Sequence, residues 1–213
     1  MQEQPRNVRG RRTRAALLAA ARSLLEERGF DALTMGGVAE RAGVSRRAVY
    51  LHFASRSELV GALFFYVAET EGLQASLQRV RDAPDGVAAL KEWARHEATY
   101  HVRILGVARA LEHVGRTDPD AAAWRRRIGT HQLLDCRLLA ERLQQEHRLR
   151  RSWTVETATD MLWALISTEA VERLLVDRGW STDEYAVRYA DLLCSTFVEA
   201  TRENAVQPTS SGH

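Results

Sequence analysis

Apolar residues recur every three to four positions along most of the chain, and no stretch alternates with the two-residue period of a strand, so the pattern predicts an all-α protein. Over 12–28, Leu17, Leu18, Ala21, Leu24 and Leu25 fall on one helix face. Gly29-Phe30 closes that helix as a left-handed cap with an apolar residue folding back. Thr34 then caps a short helix over 35–42, Gly43-Val44 makes a tight turn, and Ser45 caps a second short helix over 46–52. Ser55 and Glu58 have capping-box spacing and open a helix expected over 56–80. Pro84-Asp85-Gly86 breaks the chain and starts the next helix, which runs to residue 101, with a short piece to 113. Asp118-Pro119 supplies a cap and a first-turn proline for a helix to residue 147. Thr154 opens another over 154–178, ended by Gly179-Trp180. Ser181 and Glu184 form a second capping box before a last helix over 182–203. That makes about nine helices, followed by a polar tail at 205–213 expected to be disordered.

Composition alters this picture little. The chain has 213 residues, 45% hydrophobic and 27% charged, enough to bury a core. No apolar run nears the roughly 20 residues of a spanning helix, so no membrane contact and a cytoplasmic location are expected. Arg11-Arg12 before the small apolar run 15–21 superficially resembles an export signal. The run closes at Arg22 and continues in helical phase, so it reads as the first structural helix. Cys136 and Cys194 lack any metal-ligand spacing and read as reduced core thiols.

Charge changes more. Residues 1–56 hold eleven arginines against five acids, whereas the rest holds nineteen basic against twenty-three acidic residues. A basic first quarter on a mildly acidic body points to a polyanion at the N-terminal end. Within it, residues 34–53 form two short capped helices across a glycine turn, with Val38, Ala39, Ala42, Val44, Ala48 and Val49 available for a shared interior. This is the form of a helix-turn-helix, whose second helix enters the major groove. Arg46, Arg47, Tyr50 and His52 supply polar reach on that helix, and Phe53 reads as core.

Residues 11–65 resemble the N-terminal domain of the TetR family of bacterial transcriptional regulators. The resemblance is carried by Ala39-Glu40-Arg41-Ala42-Gly43-Val44-Ser45, by Val49-Tyr50-Leu51-His52-Phe53 and by Ser55-Arg56-Ser57-Glu58-Leu59. It implies a three-helix DNA-binding domain over 11–71, with its motif at 34–53, and a helical ligand-binding and dimerisation domain over 72–204. In that frame Arg46 and Arg47 would reach guanine edges, and Tyr50 and Leu51 base edges, thymine methyls or nearby backbone. Thr34, Ser45, His52 and Arg56 would hold phosphates. Arg9, Arg11, Arg12 and Arg14 offer arm contacts, against a reading as a solvated tail. Gly36-Gly37 departs from the family pattern and predicts a looser second helix.

For the body, the resemblance implies a small-molecule effector and a homodimer formed through the last two helices. The apolar residues Leu162, Leu165, Ile166, Val171, Leu174 and Leu175, with Leu192, Leu193 and Phe197, exceed what one chain of this size easily covers. Trp93, Tyr100, His101, Trp124, His131 and Trp163 are the candidate chamber residues, each also readable as ordinary core. His96-Glu97 with His101 resembles a metalloprotease pattern, but i+5 puts the second histidine about 140° round the helix, so no metal is expected there. No cofactor is expected, and no nucleophile elbow, phosphate loop or dinucleotide fingerprint occurs, which argues against an enzyme. The expected function is a ligand-responsive repressor on a palindromic operator. The alternative is a ligand- or protein-binding module with a vestigial DNA-binding domain.

Overall fold

Helix signals dominate, and the computed structural model is built of helices throughout; it describes residues 5–114 and 117–200. In chain order these are α1 (Pro5–Arg28), a 3-10 turn (Phe30–Ala32), α2 (Met35–Arg41), α3 (Arg46–Tyr50), α4 (Arg56–Thr70), α5 (Leu73–Asp82), α6 (Gly86–Arg103), α7 (Leu105–Val114), α8 (Pro119–Gln145), α9 (Val155–Ala164), α10 (Thr168–Val171), a π-turn (Glu172–Asp177) and α11 (Thr182–Phe197). Among the described residues the only extended pairing is one isolated bridge between Leu149 and Val198. The tail at 205–213 lies outside the described residues.

Eleven α-helices replace the expected nine because two long helices are interrupted. Gly72, at a left-handed φ of 74°, breaks the 56–80 stretch into α4 and α5. The 154–178 stretch stops at Leu165 and restarts where the Ser167 side chain accepts from Ala170 N, then loosens into the π-turn. Serine in mid-helix competes for backbone groups, and here its role as a cap prevails.

Two apolar cores form. The first joins the buried face of α1 (Leu17, Leu18, Ala21, Leu24, Leu25) to Phe30, Val38, Val49, Phe53, Leu59 and Leu63, and it also takes in Val107 of α7 and Ala121 of α8. The second is built from α5, α6, α8, α9 and α11 around Leu90, Trp93, Leu143, Leu162, Leu193 and Phe197. Each such side chain contributes roughly 1.5–3 kcal/mol when fully buried. Leu162, Val171, Leu193 and Phe197 are therefore consumed by the chain's own core. What stays exposed on the last helices is Met161, Trp163, Val176, Val187 and Leu192.

Helix α4 ties the two halves together. Gly61 lets the Trp124 ring of α8 lie against it, since a Cβ there would sit 2.5 Å from Trp124 Cζ2. The same indole stacks on Phe64 and meets Phe65 edge-on.

Candidate functional site

The two short helices at 35–50 stand where capping places them. Thr34 Oγ1 accepts from Gly37 N at 3.0 Å, Ser45 Oγ from Ala48 N at 3.2 Å, and Ser55 Oγ from Glu58 N at 3.1 Å. Glu58 returns a bond, but to Ala54 N rather than to the cap residue itself. Gly43, at φ 66°, makes the turn between α2 and α3 in a conformation that only glycine adopts without strain.

Burial divides α3 cleanly. Val49 and Phe53 are fully enclosed, while Ser45, Arg46, Arg47, Tyr50 and Leu51 face outward, with Leu51 78% exposed. Isolated apolar exposure on this scale, beside two guanidinium groups, suits a surface that meets base edges and methyl groups. Among the described residues the Arg47 side chain makes no hydrogen bond or ion pair, while its carbonyl accepts from Leu51 N. The Arg46 side chain folds back over α2, near the open space at Gly36. His52 is half-buried with its ring beside Phe53, and Arg14 lies over the Phe53 ring at 4.7 Å.

Arg56 departs from expectation. Its Nε donates to Leu33 O at 2.8 Å, one Nη donates to Asp118 Oδ2 at 2.8 Å and Asp120 Oδ2 at 3.2 Å, and the group stacks over Phe30. The guanidinium is neutralised by two carboxylates at the start of α8, so it fastens α4 to the body instead of facing a phosphate.

The double glycine also differs from its sequence reading. A Cβ on Gly37 would lie 2.6 Å from Ala32 O and 3.0 Å from Leu24 Cδ2, so α2 is tightly seated, not loose. Gly36 has nothing nearer than Arg46 at 3.6 Å. The two positions should therefore respond with opposite signs. Gly37→Ala is expected to destabilise by about 1–3 kcal/mol through overpacking against backbone, whereas Gly36→Ala should gain up to about 1 kcal/mol of helix propensity. Urea denaturation of the two variants measures this, and equal shifts would refute the close packing.

Residues 17–63 match the family described as bacterial regulatory proteins, tetR family. Along nearly its whole length the chain is 29% identical over 209 residues to the uncharacterised HTH-type transcriptional regulator YdeS of Bacillus subtilis, covering 94% of this chain and 97% of that one. It is 35% identical over 80 residues to the HTH-type transcriptional regulator TtgR of Pseudomonas putida, 38% of each chain. Its fold superposes with a TM-score of 0.70 on NalD, the secondary repressor of the MexAB-OprM multidrug efflux pump in Pseudomonas aeruginosa, at 22% identity over 90% of this chain and 98% of that one.

Residues 17–63 therefore form a DNA-binding domain of the TetR type.

Beyond that domain, the body places the six candidate chamber residues unevenly. Trp93, Tyr100 and His101 are buried together on α6. Trp124 instead packs on α4, and His131 and Trp163 lie on the surface, the latter against Gly129. An open cleft of about 420 Å3 between α5, α6 and α8 includes Trp93 in its wall, with Leu77, Val80, Leu139, Asp135 and Arg142. Its volume is within the ordinary range of small-molecule sites, roughly 300–1,000 Å3.

Four polar side chains of the body that the sequence does not single out as ligands, Ser76, His96, Glu97 and Thr159, are buried, and the His96 ring lies beside that of Trp93. His96 Nδ1 lies 2.9 Å from Ser76 Oγ, and its ring stacks on Tyr100. Burial pulls His96 down to about 4 and lifts Tyr100 to about 12. His101 goes the other way: burial opposes its charge, but the adjacent Glu97 carboxylate outweighs that and raises it. Burial likewise pushes the Cys136 thiol well up, which keeps it protonated. The sequence carries this cluster as His96-Glu97 with His101, whose i+5 spacing on a helix wheel argues against a shared site. Glu97 and His101 nonetheless share a face at i, i+4, and His96 reaches round to bring its ring 5.7 Å from that of His101.

Proposed function

We propose that the chain acts as a ligand-responsive repressor, a dimer that reads a palindromic operator with α3 of each subunit. The observation that carries this is the division of α3: a short, capped helix anchored by Val49 and Phe53 and presenting Arg47, Tyr50 and Leu51 outward. Arg47 would contact a base edge, Arg46 and His52 the flanks of the groove, and Thr34 and Ser45 phosphates beside their capping roles. Arg56 is left out of that set because its charge is already paired. The tight seat of Gly37 removes the main support for a vestigial DNA-binding domain.

The domain division follows from the same reading, with residues 11–71 reading DNA and 72–204 sensing and pairing. Dimerisation would use the apolar residues left uncovered on the last helices, Met161, Trp163, Val187 and Leu192. No described helix is long and apolar enough to cross a membrane, in keeping with work on cytoplasmic DNA. An effector in the cleft would favour a state in which the two α3 helices no longer match successive major grooves, about 34–36 Å apart. The route to α3 runs through α4, held to α8 by the Arg56 pair and the Gly61–Trp124 contact. NalD, which shares the fold, is a repressor of an efflux pump; an efflux or detoxification gene is the corresponding expectation for the target here.

The test is a mobility-shift titration on DNA upstream of the chain's own gene across a salt series. A band with two chains per duplex, surviving at moderate salt, is expected, with log K falling by about 0.9 per phosphate contact per decade of salt. Loss of all sequence preference at moderate salt would refute operator recognition.

A further inference from the structure

Glu97 is 1% exposed, yet its Oε1 has no hydrogen-bond partner. His101 Nδ1 lies 2.9 Å from Glu97 Oε2, but the contact is too poorly aimed to be a hydrogen bond, and this nitrogen is unpartnered as well. An ordinary buried ion pair closes that bond, because leaving a buried polar group unmet costs about 1–3 kcal/mol, and more when it is charged. One ligand atom each from His96, Glu97 and His101 lies within 4.8 Å of the others, with all three residues buried. We propose that these three side chains bind one divalent transition-metal ion of the zinc class.

The donor set fits. Two imidazoles and one carboxylate suit zinc, cobalt or nickel, whereas calcium and magnesium require mostly oxygen. Bonds of about 2.0–2.2 Å in a tetrahedron bring donors to roughly 3.5 Å of one another, so small side-chain rotations complete the site. Three protein ligands leave a position open to water or to a bound molecule. Ser76 is the orienting partner: its Oγ meets His96 Nδ1 at 2.9 Å, which leaves Nε2 free to coordinate. An organic cation is a poorer occupant, because the 420 Å3 cleft is walled by Trp93 but by none of the three ligands. A bare ion needs only the space between their atoms. A dication also balances the buried carboxylate within the second core, between Ser76 of α5 and the α6 helix that carries all three ligands.

The full-length, untagged chain, stripped with EDTA, is titrated with Co2+ without DNA, so the result is independent of operator recognition. A visible d–d band saturating at one equivalent and displaced by Zn2+ is expected. Glu97→Gln and His101→Gln should abolish it, and Ser76→Ala should weaken binding by about 10- to 100-fold. His131→Gln, an exposed histidine on α8, should leave it unchanged. If Glu97→Gln does not fold, imidazole NMR of the wild type decides: Zn2+ must shift two of the seven histidines. Absence of a saturable band, indifference to Ser76→Ala, loss with His131→Gln, or a different number of shifted imidazoles would overturn the site.

Discussion

Replacing Arg47 by alanine should weaken operator binding by between about 30-fold and about 10⁴-fold while leaving the fold intact. Each bidentate contact to guanine contributes roughly 1–3 kcal/mol of discrimination, and a two-fold symmetric dimer loses the contact twice. Stability should change by less than about 0.5 kcal/mol, because the side chain is exposed and makes no bond within the described residues. Non-specific DNA should be affected far less, since a lost phosphate charge alone reduces the salt slope by about one. The comparison to make is operator against scrambled duplex, each at two salt concentrations. An equal loss on both duplexes would place Arg47 on the backbone and move sequence reading elsewhere on α3. Arg46 is the less sensitive position, because it leans over α2 at Gly36.

The contrast between Arg47 and Arg56 marks what a sequence can reveal. Caps, periodicity and the turn glycine are local signals, so α2, α3 and their exposed face were legible from residues 34–53 alone. Asp118 was legible as the cap of α8, and its Oδ1 does accept from Asp120 N and Ala121 N. Its Oδ2 takes Arg56 from 62 positions away, and no local rule announces such a partner. Gly37 misled for a related reason. A propensity scale charges glycine for its freedom, but here a carbonyl from the preceding turn occupies the space where a side chain would go. The break at Ser167 was legible in principle, since a serine that caps the next turn is a start signal. The strong apolar period on both sides concealed it. The body's candidate residues were the least readable, because the aromatic residues of a helical bundle are divided between cleft, core and surface only by tertiary packing.

Phe53→Ala should cost about 3–5 kcal/mol, the usual range for emptying a buried aromatic site. The ring is fully enclosed, lies under the Arg14 guanidinium, and follows a five-residue helix that is far too short to persist alone. Val49 and Phe53 are the only wholly buried side chains between Ser45 and Phe53, so removing one leaves α3 with a single anchor. Operator affinity should fall with the population of seated α3, and cooling should restore part of it. Leu51→Ala, by contrast, removes a side chain 78% exposed and should shift stability by less than about 0.5 kcal/mol. Hydrogen exchange locates the damage. Amides of α1–α4 should lose protection together with α7 and the first turns of α8, because Val107 and Ala121 belong to the same core. Amides of α6 and α11, packed in the second core, should hold. A uniform loss across both sets would mean that the Arg56 pair and the Gly61–Trp124 contact couple the two cores into one cooperative unit, and effector binding in the body would then act on α3 through stability as much as through geometry.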